Sequence, residues 1–182
     1  MHFKKHSELD GKHAFLSPSK YHWINYTPEK LRSSYLSHMA VEKGTKLHQL
    51  AKDLIDNRVN LPKVDKTLNL YVNDAIGFRM DTEQVLYYSD NCFGTADAIC
   101  YRDGTLRIHD FKSGKTKASF VQLEIYAALF FLEYKRYKLE TTSIELRIYQ
   151  SNTVLIYSPE KEVIKHHMDQ IILADEEIEK LK

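Results

Sequence analysis

A mixed α/β domain, a central mixed β-sheet flanked by α-helices, is the fold class this chain predicts. Three observations carry it. Two-residue turn signals, Asp103-Gly104 and Ser151-Asn152, each lie between runs rich in strand formers. Apolar residues recur at helical spacing over residues 41–57, and the centre of residues 118–138 is apolar on nearly all sides, as a buried helix is. The resulting order is helix, strand, hairpin, helix, hairpin, helix, which is the pattern of helices packed on a sheet. At 182 residues the chain is long enough for one domain with a sizeable core.

Taken in order, residues 1–12 are polar. Ser17-Pro18 predicts a helix start, with Ser17 as N-cap and Pro18 in the first turn. Thr27-Pro28 opens another helix the same way. Residues 41–57 predict a further helix, with Leu47, Leu50, Ala51 and Leu54 as its apolar stripe and His48 at the edge of that stripe. A histidine there is either a packed residue or a ligand. Leu61-Pro62 breaks the chain. Residues 66–80 fit helix better than strand, aligning Leu70, Asp74 and Phe78, and residues 83–88 predict a strand. After the first hairpin comes Ser113-Gly114-Lys115-Thr116-Lys117. This basic loop suits a phosphate, because Gly114 lets backbone amides approach, and it equally suits plain solvent exposure. Residues 118–138 predict a long buried helix, with Gln122 and Tyr126 neighbours on one face and Lys135, Arg136 and Lys138 complementing its C-terminal dipole. Residues 144–150 and 153–157 form the second hairpin, and a closing helix starts near Pro159-Glu160. One domain over residues 1–182 follows, with a helical part at 1–60, the sheet and buried helix at 83–160, and the last helix at 160–182.

The chemistry concentrates in residues 91–112. With Asp103-Gly104 as the hairpin loop, Arg102 faces Thr105, and the register outward sets Asp97 opposite Asp110. Lys112 shares their face, with Thr95 across from it. Opposed carboxylates repel, so a bare pair needs a reason, and a divalent cation held by oxygen ligands supplies one. A lysine beside it suits the positioning or deprotonation of water for hydrolysis. A solvated face with Asp–Lys pairs is the other reading, and a three-residue loop would shift the register.

Composition narrows the classes. Two cysteines, Cys92 and Cys100, exclude a disulfide framework and a four-cysteine metal or iron–sulfur site, and they fit a reducing compartment. The longest apolar run, residues 125–132, is too short for a membrane span, and no signal-peptide pattern is visible, so the expectation is a cytoplasmic protein. A formal net charge of +1 gives no bulk argument for nucleic acid.

Gly94-Thr95-Ala96-Asp97, Asp110-Phe111-Lys112 and Gln122-Leu-Glu-Ile-Tyr126, with the upstream EKGTKLHQLAKDLI that carries His48, resemble the PD-(D/E)XK nuclease superfamily. The match is to its RecB-type branch, and HAFLSPSKYHWINY and LRIYQ are similar to phage- and prophage-encoded members. The resemblance covers nearly the whole chain. It implies a restriction-endonuclease-like core and a Mg²⁺- or Mn²⁺-dependent DNA nuclease, an exonuclease of phage DNA replication or recombination. Its partners would be DNA and a phage recombination or replication protein, its place the bacterial host cytoplasm.

Carried over, Asp97, Asp110, His48 and the Phe111 carbonyl hold metal. Lys112 serves the attacking water. Gln122 and Tyr126 line the site and touch DNA or brace the catalytic strand. The basic loop, with Ser113, Lys115 and Lys117, then either meets DNA or is a solvated surface. Ala96 stands where the branch often has proline, and Tyr26 where it often has a cluster cysteine, so no iron–sulfur cluster is expected. Glu83 is open between an extra acidic group at the metal and a surface charge. A structure-specific or nicking endonuclease, and a non-catalytic DNA-binding module on the same fold, are the alternatives.

Overall fold

The computed structural model describes residue 7, residues 14–114 and residues 116–182. The chain forms two compact units, Met1–Lys43 and Gly44–Lys182. In the first, residues Pro18–Asn25 form a 3₁₀ helix rather than the predicted α-helix. Ser17 makes no capping bond. Its hydroxyl pairs with Ser19 at 2.8 Å while its carbonyl accepts the Trp23 indole N–H at 3.0 Å, and these local bonds take the place of a cap. Helix α1 (Pro28–Asp56) is capped at Thr27, whose Oγ1 accepts the Lys30 amide. It runs without a break, so the two helices expected at residues 27 and 41 are one. Gly44 lies inside it, where a single glycine weakens a helix without ending it.

The second unit holds a five-stranded sheet in the order β1-β2-β3-β4-β5, with β1 (Asp81–Ser89), β2 (Cys92–Arg102), β3 (Thr105–Lys112), β4 (Ser143–Gln150) and β5 (Thr153–Tyr157). Only β3 and β4 are parallel, because they are joined by a crossover through α3 (Val121–Glu133). The result is an α/β fold with a mixed sheet flanked by helices, the layout of a restriction-endonuclease-like core. Both predicted tight turns form. Asp103 and Gly104 have φ of +50° and +72°, and Ser151 and Asn152 have +52° and +61°, the left-handed pair that a two-residue turn needs to follow strand twist.

Two apolar clusters sandwich the sheet. Leu86, Ile99, Leu106, Ile108, Leu146 and Ile148 pack under α3 and under α4 (Lys161–Glu179). On the other face Ala98, Phe111 and Tyr149 pack against Ala51 and Ile55 of α1 and Tyr71, Val72 and Ala75 of α2 (Thr67–Phe78).

Helix α3 is shorter than predicted at both ends. It starts at Val121 with Phe120 before it, and the Ala118 amide donates to the Gln150 side chain in the loop that precedes it. Its end comes at Tyr134, where ψ is +64°. That break lets Tyr137 fold back onto Tyr101, ring centroids 4.1 Å apart, and onto Phe130, and burying rings outweighs one more helical turn. Lys135, Arg136 and Lys138 therefore lie beyond the helix and do not complement its dipole.

Candidate metal centre

The β2–β3 ladder holds the predicted register from Arg102–Thr105 to Ala98–His109 and stops there. Asp97 and Asp110 are the next pair outward. The ladder ends because Asp97 Oδ2 accepts the Phe111 amide at 2.9 Å, replacing a backbone carbonyl. Thr95 consequently does not face Lys112. It pairs with Val85 of β1 instead.

Asp97 also lies 3.4 Å from His48 Nδ1, which α1 delivers from across the sheet. Phe111 supports that ring edge-on, with centroids 5.2 Å apart. The third member is Glu83. His48, Glu83 and Asp97 each place one ligand atom within 4.8 Å of the others. Glu83 stands opposite Asp97 at a gap in the β1–β2 ladder, with φ of +49°. A left-handed glutamate inside a strand costs about 1–3 kcal/mol, a strain usually met at functional sites. A cleft of about 550 Å³ opens over these three residues, lined also by Gln49 and Lys52.

Asp110 is not within that group of three. Only 3% of its surface is exposed, and its two oxygens differ. Oδ1 lies 3.0 Å from Lys112 Nζ, while Oδ2 is buried with no hydrogen bond. Lys112 Nζ also donates to Gln122 Oε1 at 3.1 Å, and Gln122 Nε2 donates to the Tyr126 hydroxyl at 3.2 Å. Asp110, Lys112, Gln122 and Tyr126 thus form one chain. Gly94 seats its far end, since a Cβ there would lie 2.9 Å from Tyr126 Cε1.

The electrostatics describe a site short of positive charge. Burial raises the Asp110 carboxyl above the usual range, Asp97 raises it further, and Lys112 offsets only part. Burial and then Asp97 raise Glu83. The hydrogen bond to Asp97 raises His48 against the opposing effect of burial. Each shift is what crowded, partly desolvated carboxylates produce.

A divalent cation fits this donor set. The set offers two carboxylates and an imidazole nitrogen, which metal ions accept as ligands, and the buried Asp110 Oδ2 is a further acceptor without a partner. Of the other residues expected here, Ser113 and Lys117 are exposed beside the site in the loop after β3, and Lys115 lies outside the described residues. Phe111 contributes its amide, to Asp97.

Among the described residues, no helix is long and apolar enough to cross a membrane. A family model described as "Protein of unknown function (DUF2800)" matches residues 75–177. That span includes Glu83, Asp97, Asp110, Lys112, Gln122 and Tyr126 and leaves out His48. No curated protein and no solved structure matches the chain.

Proposed function

We propose that this chain, which belongs to the DUF2800 family, is a divalent-metal-dependent DNA nuclease that hydrolyses phosphodiester bonds. The observation that carries the reading is Asp110. It is a buried carboxylate beside Asp97, with one oxygen on Lys112 and the other without a partner. His48, Glu83, Asp97 and Asp110 would hold Mg²⁺ or Mn²⁺, with the Phe111 carbonyl as a further oxygen ligand. The bound cation supplies Lewis acidity toward a phosphate oxygen and the attacking water.

The remaining roles belong to side chains. Lys112, held between Asp110 and Gln122, has its ammonium fixed where it can orient or deprotonate a water and steady charge on the phosphate. Gln122 and Tyr126 restrict the rotamers of Lys112, which keeps that placement from costing entropy at each turnover. An exonuclease of phage DNA replication or recombination, acting in the host cytoplasm beside a recombination or replication partner, is the form the PD-(D/E)XK resemblance supports.

The test is cleavage of 5′-labelled linear single- and double-stranded DNA and of a closed circle, with Mg²⁺, Mn²⁺ or EDTA. Metal-dependent loss of the linear substrates, abolished in Asp110→Ala and Lys112→Ala, is expected. A surviving circle identifies an exonuclease, and a cut circle an endonuclease. Intact DNA under every condition, with a folded sample, refutes the nuclease reading and leaves a binding module.

A further inference from the structure

The loop that leaves β3 is built by one side chain from another strand. Gln150 is the last residue of β4, paired with Lys112 in the parallel ladder, and 9% exposed. Its Nε2 donates to the carbonyls of Gly114 and Thr116, both at 2.8 Å, and its Oε1 accepts the Ala118 amide at 3.3 Å. The amide therefore uses both of its N–H groups and its carbonyl on the backbone of one loop. A buried polar group satisfied this fully fixes a conformation.

The fixed conformation has a direction. In a trans peptide the C=O and the following N–H point opposite ways, and among the described residues no peptide bond is cis. The Thr116 carbonyl points inward to Gln150, so the Lys117 amide points outward. Among the described residues that amide meets no acceptor, the exposed Lys117 ammonium has no carboxylate within 4 Å, and the exposed Ser113 hydroxyl has no hydrogen-bond partner. On its other side the loop rests on α1 at Gly44, where a Cβ would lie 3.0 Å from Ser113 Oγ. The outward amide and exposed ammonium of Lys117, with the unpartnered Ser113 hydroxyl at the loop's edge on α1, sit on a clamped loop that begins one residue after Lys112 and make a cradle for a tetrahedral anion.

We infer that Gln150 is the positioning residue of a phosphate-binding loop. Ser113 Oγ, the Lys117 amide and Lys117 Nζ take one backbone phosphate of the nucleic acid strand beside the one being cleaved. This rests on the nuclease reading for its substrate, but the binding it describes needs no metal and no cleavage.

Its test is therefore equilibrium binding of a labelled single-stranded oligonucleotide in EDTA, across a salt series. The proteins are the intact chain, Gln150→Met, Lys117→Ala and the double variant of these two, each checked for folding by its melting curve. Gln150→Met keeps the volume and loses the clamp. It should bind about tenfold more weakly, with a salt slope smaller by about 0.7, the value of one released counterion on a single strand. Lys117→Ala should shift both quantities the same way, and the double variant should add little. In Mn²⁺, Gln150→Met should raise KM with kcat within about twofold, the split expected for lost ground-state binding. Unchanged affinity and slope in folded Gln150→Met overturn the inference, as does an intact chain that binds no DNA. An intact chain that binds but never cleaves overturns the nuclease reading alone.

Discussion

Asp110 is where function and stability pull apart. Its burial and the charge of Asp97 make the ionised form costly, and the single contact from Lys112 does not offset both. Asp110→Asn keeps an acceptor for Lys112 and removes the repulsion. In EDTA it should melt higher, by roughly 2–4 °C for a gain of about 1 kcal/mol in a chain of this size. The same variant should lose all cleavage. A lower melting point in EDTA would mean that the carboxylate is a net support and that the site holds no electrostatic strain.

Gly94 makes the second point at this scale. Replacing it with alanine pushes a methyl into the Tyr126 ring at 2.9 Å, and the displacement passes through Gln122 to Lys112. A shift of well under an ångström at a reacting group is expensive, so Gly94→Ala should lower kcat roughly tenfold or more. Full activity would show that Lys112 is positioned without Tyr126.

At the level of elements, the organising hairpin was legible because its turn is chemically explicit. Asp103-Gly104 is among the few dipeptides that accept two positive φ values, and it alone set Asp97 beside Asp110. Gly104→Ala should cost about 1–2 kcal/mol, since φ of +72° disfavours any Cβ. Cleavage below the melting transition should be untouched, because the turn lies at the far end of β3 from Lys112. Loss of activity at low temperature would mean that the turn sets the register of the site.

Glu83 was not legible, and the reason is local. A two-residue turn at Asp90-Asn91, extrapolated along β1, sets Gln84 opposite Asp97. An irregularity between Tyr87 and Ser89 shifts the register by one and brings Glu83 there instead. Nothing in the composition of residues 87–92 announces a bulge. The true end of α3 was hidden in the same way. Residues 134–138 have ordinary helical character, and only the aromatic rings of Tyr101 and Phe130, distant in sequence, pull Tyr137 out of the helix. His48 could be placed on a helix edge by periodicity, but which group it faces depends on the packing of α1 against β2, to which periodicity is blind.

Over the molecule as a whole, every candidate residue belongs to the unit Gly44–Lys182, and the ligands come from elements far apart in sequence. His48 is on α1, Glu83 on β1, Asp97 on β2 and Asp110 on β3. A cation bound there ties these elements together in the folded state and has no assembled site in the unfolded chain. Binding must therefore raise global stability by linkage, by about 2.7 kcal/mol at a hundredfold excess over Kd. For this length that is a rise of roughly 5–10 °C in Tm. The rise should be larger for Mn²⁺ than for Mg²⁺ at equal concentration, because one ligand is an imidazole. Asp97→Asn removes the residue that His48, Glu83 and the Phe111 amide all address, and it should abolish the rise. Lys112→Ala removes a competing cation rather than a ligand, so it should lose cleavage yet keep a rise at least as large. Melting curves of the three proteins in EDTA, Mg²⁺ and Mn²⁺ separate the cases. A Tm that ignores both metals in the unaltered chain would leave the strain at Glu83 and the orphaned oxygen of Asp110 without a cation to explain them.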